Sequence, residues 1–390
     1  MNAQLTANLY RRPAPNTQLP GLSYLPMGSS LVVRQWVSGE HLDGNNLWAA
    51  ADDGYYYWGG GLNVDELATA ATPWPQLAED VQISLVQDFL NNRRLWLQQQ
   101  TTDYRGCAIG YKNDDTNGQI GLTVYVGTKQ AGTLPKLIRW KGVDIPVDVK
   151  ETNGASLQLN TLPDQADPME LGGSIARTGS ESYGSRGAVL SLKRAAGQQA
   201  GQRFLLTCAH VLHPTAQTST PIRYDGTNNG NAWPTASLPF APRLYDNLPL
   251  QFLRFSPIED FAIVGLTDQV RIHNRLTLHH NRTAVIYQWL GYDEVMKLKD
   301  RRLFSQGATS GIRSGRVTDV SVSYRFDNTL MEMQRLIVTE AMSNGGDSGA
   351  PVLDEQDKLV GIVVGGDGHT RTYIMPVYGL FANSIYTLLV

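Results

Sequence analysis

The chain has 390 residues and a nearly balanced charge, with 33 basic and 36 acidic residues and a net charge of −3 at pH 7. This length allows two or three domains. The charge gives no electrostatic reason to expect nucleic acid or an anionic membrane as a partner. Glycine is abundant, at 38 residues, and charged residues make up only 18%. Such a composition favours a turn-rich β protein over a helical bundle.

The two cysteines, Cys107 and Cys208, are too few for a disulfide framework, which favours a reducing compartment. The first residues contain no apolar core typical of a signal peptide. No apolar run approaches the roughly 20 residues that a membrane-spanning helix needs. We therefore expect a cytoplasmic protein.

Residues 1–20 are rich in Asn, Pro, Thr and Gln, which predicts a flexible lead-in. Residues 21–65 read as short strands, with Asp53-Gly54 as a hairpin turn. This stretch resembles bacterial Src-homology-3-like domains through a shared pattern of Trp36, Gly39-Glu40, Gly44-Asn45, Trp48, Asp53-Gly54-Tyr55 and Trp58. Such relatives often bind peptide or cell-wall ligands. The interpretation that we favour is that these aromatic residues simply fill the core of a small barrel.

Residues 66–76 contain two prolines and are interpreted as a linker. A helix is predicted next, since Leu77, Val81, Leu85 and Phe89 recur every fourth residue. The strand-like pieces that follow include an alternating run with Ile120, Leu122, Val124 and Val126 on one face. The order predicts a small α+β module over 75–155, which resembles a module that precedes the protease domain in some bacterial trypsin-like proteins. Cys107 is expected to be a buried small hydrophobe.

A second polar linker is expected around 156–170, and the rest of the chain, 170–390, alternates short apolar runs with Gly, Asn and Pro. Many short strands separated by turns predict a β-barrel or sandwich. We find no fixed-period repeat.

Three local sequences in this region carry reactive side chains. Leu-Leu-Thr-Cys-Ala-His-Val at 205–211 places His210 where a strand ends, and Glu259-Asp260-Phe261 places Asp260 at the start of an apolar strand. Gly345-Gly346-Asp347-Ser348-Gly349 places Ser348 in a glycine-rich loop. A serine hydroxyl becomes a strong nucleophile only beside a general base, and a histidine base needs a carboxylate to orient it. The carbonyl oxygen that the serine attacks becomes an oxyanion, which needs preorganised hydrogen-bond donors.

The T-x-A-H and G-D-S-G-x-P motifs, in this order, resemble those of the trypsin/chymotrypsin-like serine proteases of bacteria. The resemblance spans about 172–385. It implies two six-stranded β-barrels, with His210, Asp260 and Ser348 as the catalytic triad at their interface. It also implies that the amides of Gly346 and Ser348 hold the oxyanion.

Substrate contacts follow from the same resemblance. Met342, six residues before Ser348, falls at the base of the specificity pocket, which predicts no strong preference for basic side chains. Val364, Gly365 and Gly366 are expected to form the pocket wall, and the nearby Asp367 could change this preference. Because no activation-cleavage site is recognisable, Asp347 is expected to find a partner other than a newly formed N-terminus.

The expected fold is mainly β: a chymotrypsin-like double β-barrel preceded by a small aromatic β-barrel and a small α+β module. The expected function is that of a serine endopeptidase, without cofactor or metal, that acts on a protein or peptide substrate. Regulation by the N-terminal modules is one form of this hypothesis. One alternative is a latent or inactive scaffold whose N-terminal aromatic domain binds a peptide or protein ligand. Each reactive residue taken alone also has a purely structural interpretation.

Overall fold

The computed structural model describes residues 1–64, 72–101, 103–112, 119–129, 134–152, 154–157, 170–193, 202–213, 221–224, 235–238, 247–268, 270, 272–278, 282–329 and 331–389. Most of both predicted linkers, 66–71 and 158–169, lies outside the described residues. The chain divides into two compact units, Met1–Thr152 and Asn153–Val390.

Over its described residues, the first unit contains eleven strands and one long helix. In chain order they are β1 (Asn2–Leu5), β2 (Leu9–Tyr10), β3 (Tyr24–Leu25), β4 (Ser30–Leu42), β5 (Asn45–Ala51), β6 (Tyr56–Trp58), β7 (Leu62–Val64), α1 (Glu79–Gln100), β8 (Tyr104–Tyr111), β9 (Ile120–Val126), β10 (Leu137–Trp140) and β11 (Val143–Glu151). Over the described part of the chain, no helix has both the length and the apolar character needed to cross a membrane.

The expectation of a flexible lead-in is wrong for the first residues. Strand β1 pairs with β4 on one side and with β7 on the other, inside a five-stranded sheet of order β6-β5-β4-β1-β7. Its side chains alternate between exposed and buried, with Ala3 and Leu5 buried. The sequence Asn-Ala-Gln-Leu has the polar–apolar alternation of a strand, but it is too short to stand out from a polar terminus.

Three of the seven aromatic residues of 21–65 are buried, and these three lie in strands β4, β5 and β6 of this sheet. Trp36 is 4% exposed, Trp48 is 1% exposed and Tyr57 is fully buried. The indole N–H of Trp48 donates to the carbonyl of Glu40 at 2.9 Å. These contacts agree with a core role for the rings, and the likeness to Src-homology-3-like domains stays a prediction.

Helix α1 begins at Glu79, so Leu77 lies outside it, while Val81, Leu85 and Phe89 are buried as the periodicity predicts. Glu79 and Asp80 in its first turn are favourable beside the positive end of the helix dipole. The strands that follow pair in the order β10-β11-β9-β8, with β11 and β9 parallel and the other neighbours antiparallel. This arrangement confirms a helix followed by strands.

A buried ion pair joins three parts of the first unit. The Asp88 carboxylate in α1 lies 3.4 Å from Lys141 Nζ and accepts hydrogen bonds from Asn45 Nδ2 at 2.6 Å and Trp140 Nε1 at 2.7 Å. Lys141 also donates to the carbonyls of Gly59 and Leu62. Burial raises the pKa of Asp88 and lowers that of Lys141. The network links helix α1, the five-stranded sheet and the turn between β10 and β11. Buried charges need such partners.

Where the structure describes it, the second unit consists of strands of two to fifteen residues and three short helices. They are β12 (Ser174–Arg177), β13 (Gly184–Ser185), β14 (Ala188–Leu192), β15 (Arg203–Thr207), α2 (Ala209–Leu212), β16 (Ile222–Tyr224), β17 (Ala236–Ser237), β18 (Leu250–Ser256), β19 (Glu259–Leu266), β20 (Arg275–Leu278), β21 (Arg282–Val285), α3 (Tyr292–Val295), β22 (Arg302–Gly307), β23 (Gly311–Arg325), β24 (Glu332–Glu340), β25 (Pro351–Leu353), β26 (Leu359–Gly366), β27 (Arg371–Pro376), α4 (Tyr378–Asn383) and β28 (Tyr386–Leu388).

Two sets of six strands form the body of this unit. One sheet has the order β16-β18-β19-β15-β14-β28. In the other set the order is β23-β22-β25-β26-β27-β24, and β24 also pairs with β23, so the strands close into a barrel. The protein is therefore mainly β with a barrel, as expected. The C-terminal strand β28 completes the edge of the first set beside β14.

Candidate active site

His210 and Asp260 are in direct contact inside the second unit. The Nδ1 atom of His210 lies 2.6 Å from Oδ2 of Asp260, and the backbone N–H of His210 donates to Oδ1 at 3.2 Å. His210 is 1% exposed and Asp260 is fully buried. A carboxylate only accepts hydrogen bonds, so this contact puts a proton on Nδ1 and leaves the lone pair on Nε2.

Strand pairing explains this contact between residues far apart in the chain. Strands β15 and β19 are antiparallel, with Thr207 opposite Ala262. Just after Thr207 the chain turns into the four-residue helix α2, which brings His210 back toward the start of β19. Asp260 is the second residue of β19 and pairs with Phe255 of β18 on its other side. Its carboxylate is thereby held at a buried strand end.

Ser348 lies in the loop that precedes β25 and is 2% exposed. Its hydroxyl donates to the carbonyl of Val364 at 3.2 Å. Gly349 has φ +96°, and a Cβ there would lie 2.2 Å from the carbonyl oxygen of Ser185. Only glycine fits this combination of left-handed backbone and close approach. The glycine-rich sequence around Ser348 is thus explained by the path of the loop.

A single carbonyl connects the histidine segment to the serine loop. Val363 O accepts from Cys208 Sγ at 3.2 Å and from the N–H of Gly349 at 2.7 Å. Cys208 is two residues before His210, and Gly349 directly follows Ser348. The structure therefore brings the segments of all three predicted triad residues together. The buried Nε2 of His210 has no hydrogen-bond partner within the described residues. Catalytic hydrogen bonds often form only once substrate is bound.

Ser185 is a residue of this site that the sequence did not reveal. Its N–H donates to Ser348 O at 2.7 Å, its hydroxyl donates to Gly346 O at 2.9 Å, and its carbonyl accepts from Thr207 Oγ1 at 2.8 Å. The hydroxyl also accepts from the N–H of Ala308 at 2.9 Å. Ser185 thus holds the loop on both sides of Asp347. Nothing in its local sequence marks it, because these partners are distant in the chain.

Asp347 finds its partner in a neighbouring loop. Its Oδ1 accepts from the N–H of Thr309 at 2.9 Å and of Ser310 at 3.0 Å, and its Oδ2 accepts from the N–H of Asn344 at 2.8 Å. Burial raises the pKa of Asp347, while these hydrogen bonds act in the opposite direction. The carboxylate is satisfied by backbone amides, which agrees with the expectation of a partner other than a new N-terminus.

The amides of the serine loop are not all engaged. Those of Asp347, Gly349 and Ala350 donate to Asn344 O, Val363 O and Asp347 O, respectively. Within the described residues, the amide of Gly346 donates to no backbone carbonyl. A donor that is held in place but not used by the protein is what an oxyanion hole requires. The assignment of Gly346 and Ser348 to that role stays a prediction.

The predicted specificity residues lie in and beside the closed barrel. Met342 is 2% exposed and packs in the barrel's apolar core, and its N–H donates to Thr372 Oγ1 at 2.9 Å. Val364, Gly365 and Gly366 are the buried end of β26. The Asp367 carboxylate accepts from the amides of His369, Thr370 and Arg371 within its own loop. Burial alone would raise the pKa of Asp367, but these bonds and that of the Thr370 hydroxyl lower it.

One cluster has the spacing of metal ligands. Ligand atoms of Cys208, His210 and Asp260 all lie within 4.8 Å of one another. Metal binding by cysteine needs the thiolate, but burial raises the pKa of Cys208 well above its ordinary value, and its Sγ donates to Val363 O. The contacts favour a protonated thiol beside a hydrogen-bonded His–Asp pair.

Comparison with known proteins gives one family match. Residues 195–362 match the family model of the trypsin-like peptidase domain. No curated protein matches the chain.

Similar solved structures are bacterial-type proteases of low identity. A glutamic-acid-specific serine protease is 19% identical, with 56% of this chain and 100% of that chain covered and a TM-score of 0.42. Protease A of Thermobifida fusca is 18% identical, with 57% and 98% covered and a TM-score of 0.40. A chymotrypsin of Cellulomonas bogoriensis is 16% identical, with 57% and 98% covered and a TM-score of 0.41. Similarity at these scores transfers no substrate or specificity to this chain. By its family match, the chain carries over residues 195–362 a trypsin-like peptidase domain, the domain of a serine endopeptidase.

Proposed function

We propose that this protein cleaves peptide bonds through an acyl-enzyme formed on Ser348, with His210 as general base and Asp260 as its orienting carboxylate. The observation that carries the proposal is the buried 2.6 Å contact between His210 Nδ1 and Asp260 Oδ2. This contact leaves Nε2 as the basic nitrogen, because Nδ1 holds its proton for the carboxylate.

The reaction follows from these positions. The proposed reaction requires the Ser348 hydroxyl to turn from Val364 O toward His210 Nε2, a change between staggered rotamers. His210 accepts the proton as Oγ attacks the peptide carbonyl, and Asp260 stabilises the imidazolium. The amides of Gly346 and Ser348 stabilise the oxyanion. His210 then gives the proton to the leaving amine, and water hydrolyses the acyl-enzyme with the same base.

The preference for the cleaved residue belongs to this proposal as well. Met342 offers no charge to a basic side chain, and the Asp367 carboxylate is occupied by its own loop. Both observations support a site without a strong preference for Arg or Lys. The substrate is a protein or peptide. Regulation by the N-terminal residues, a ligand for residues 21–65 and a cytoplasmic location remain parts of the proposal.

The test is covalent labelling with a fluorophosphonate probe, which reacts with activated serines. The wild type should be labelled and S348A should not. The matched control is S343A, since Ser343 is also a buried serine and bonds to Thr372 Oγ1 at 2.8 Å. S343A should still be labelled. Labelling of S348A at the wild-type rate would refute Ser348 as nucleophile.

A further inference from the structure

The strand predicted to bind substrate has an edge that begins at the nucleophile. On one side β26 pairs with β27 up to Gly366, but on the other side it pairs with β25 only up to Ile362. A bulge lies between Val363 and Gly365, and the carbonyl of Val364 faces the Ser348 hydroxyl. Backbone groups two residues apart in a strand face the same side. The N–H and C=O of Gly366 therefore lie on the same side of β26 as Val364 O, which is the side that faces Ser348.

This edge is already occupied by the protein's own chain. Ser156 forms an antiparallel bridge with Gly366, in which Ser156 N–H donates to Gly366 O at 3.2 Å and Gly366 N–H donates to Ser156 O at 3.3 Å. Both distances are longer than the usual 2.9–3.0 Å of such bonds. The occupant is the segment of residues 154–157, which follows the first unit in the chain.

Asn328 holds the same segment from the loop between β23 and β24. Leu157 N–H donates to Asn328 Oδ1 at 3.0 Å, and Asn328 Nδ2 donates to Leu157 O at 2.5 Å. The N–H of Asp327 also donates to Ala155 O at 2.8 Å. Leu157 is 2% exposed. A carboxamide that bonds both the N–H and the C=O of one residue recognises main chain rather than a particular side chain.

Gly365 makes room for this occupant. A Cβ at Gly365 would lie 2.7 Å from Ser156 O and 2.9 Å from Phe326 Cε1, which is closer than real Cβ atoms approach. The barrel wall is therefore shaped to let an extended backbone lie against it. Extended peptides bind sheet edges by this kind of main-chain pairing.

We propose that residues 154–157 are a resident occupant of the substrate-binding edge, so that a peptide substrate binds only after this segment leaves Gly366. The inference rests on the proposed function, since it takes Ser348 as the nucleophile. A peptide paired with Gly366 needs the same N–H and C=O that Ser156 now uses, so the two cannot bind together.

The first test compares S156P with S156A by cleavage of an unstructured protein substrate. Proline at 156 removes the N–H that donates to Gly366, whereas alanine removes only the hydroxyl. Loss of one such hydrogen bond should raise kcat/KM of S156P over S156A by about three- to tenfold. A second variant, L157A, removes a buried side chain of the segment and should raise kcat/KM by about tenfold or more. Equal rates in S156P, S156A, L157A and wild type would overturn the proposal.

Fluorophosphonate labelling separates this inference from the proposed function, because the small probe does not pair with the strand edge. Labelling rates should be the same in wild type, S156P and L157A. If all variants are labelled but peptide cleavage is unchanged, the occupant proposal fails alone. If labelling accelerates as much as cleavage, the segment acts on Ser348 rather than on the edge, and the proposal also fails. If the wild type is not labelled at all, the proposed function fails.

The segment can also be supplied in trans. The peptide acetyl-Gly-Ala-Ser-Leu-amide, with the sequence of residues 154–157, should inhibit L157A competitively. The peptide with proline in place of serine is the control, and it should inhibit at least about threefold more weakly. Equal inhibition by both peptides, or by neither, would contradict pairing with Gly366.

Discussion

Val363 O accepts hydrogen bonds from both Cys208 Sγ and the N–H of Gly349, at 3.2 and 2.7 Å. One carbonyl of β26 therefore fixes the residue two before His210 and the residue directly after Ser348. The relative position of His210 and Ser348, the proposed base and nucleophile, depends on this strand as well as on their own segments.

D260N tests the role of the carboxylate. Asparagine keeps the size of the side chain but cannot hold His210 in the tautomer with the proton on Nδ1. Turnover should fall by about 10⁴-fold while the far-ultraviolet circular dichroism stays that of the wild type. The control is E259Q, because Glu259 is the adjacent carboxylate and pairs with Arg254 instead. A D260N enzyme within tenfold of wild type would rule out the orienting role.

S185A tests the residue that ties the serine loop to its surroundings. The substitution removes the donor to Gly346 O and leaves the buried N–H of Ala308 without its acceptor. An unsatisfied buried donor costs about 1–3 kcal/mol, which should appear in the free energy of unfolding measured in urea. Turnover should fall as well, because Gly346 is assigned to the oxyanion. S256A, which changes a serine hydroxyl distant from this loop, should change neither quantity appreciably.

The pH dependence of stability tests Asp347. Burial raises the pKa of this group in the folded state above its ordinary value of 3.8. The folded protein thus binds its proton more readily than the unfolded chain does. The stability that this group contributes is therefore present below pH 3.8 and is lost as the pH rises through the raised pKa. The unfolding free energy of wild type relative to D347N should decrease as the pH rises from 3.8 through the raised pKa of Asp347. An increase would show that the amides of Thr309, Ser310 and Asn344 outweigh burial.

K141M tests the buried ion pair of the first unit. Methionine fills the space of the lysine but leaves the Asp88 carboxylate buried without its cation. Removal of one partner of a buried pair costs about 3–5 kcal/mol, so the unfolding temperature of the full chain should fall. The double variant D88N/K141M should recover part of this loss, since no buried charge is then left. If D88N/K141M loses more stability than D88N and K141M lose together, this account is contradicted.

Local motifs predict the reactive residues, an assignment that stays a prediction, but they do not indicate which residues hold them in place. His210, Asp260 and Ser348 each stand in a short sequence that carries its own chemistry. Ser185 and Asn328 act through partners 161 and 171 residues away, and such pairs follow from strand register rather than from neighbouring residues. The strands around Thr207, Asp260 and Gly366 were expected from their apolar runs and are confirmed. Strand β1 was missed because only four residues carry its alternation.

The burial of both cysteines turns them into reporters of local opening. Cys107 lies in the first unit and Cys208 in the second, and both are free thiols with no exposed surface. A thiol reagent added to the native protein can modify either one only when its surroundings open transiently. The two modification rates, measured separately by mass spectrometry, therefore report how often the structure around each cysteine opens locally. At Cys208 that rate reports how often the buried segment that carries His210 opens to solvent.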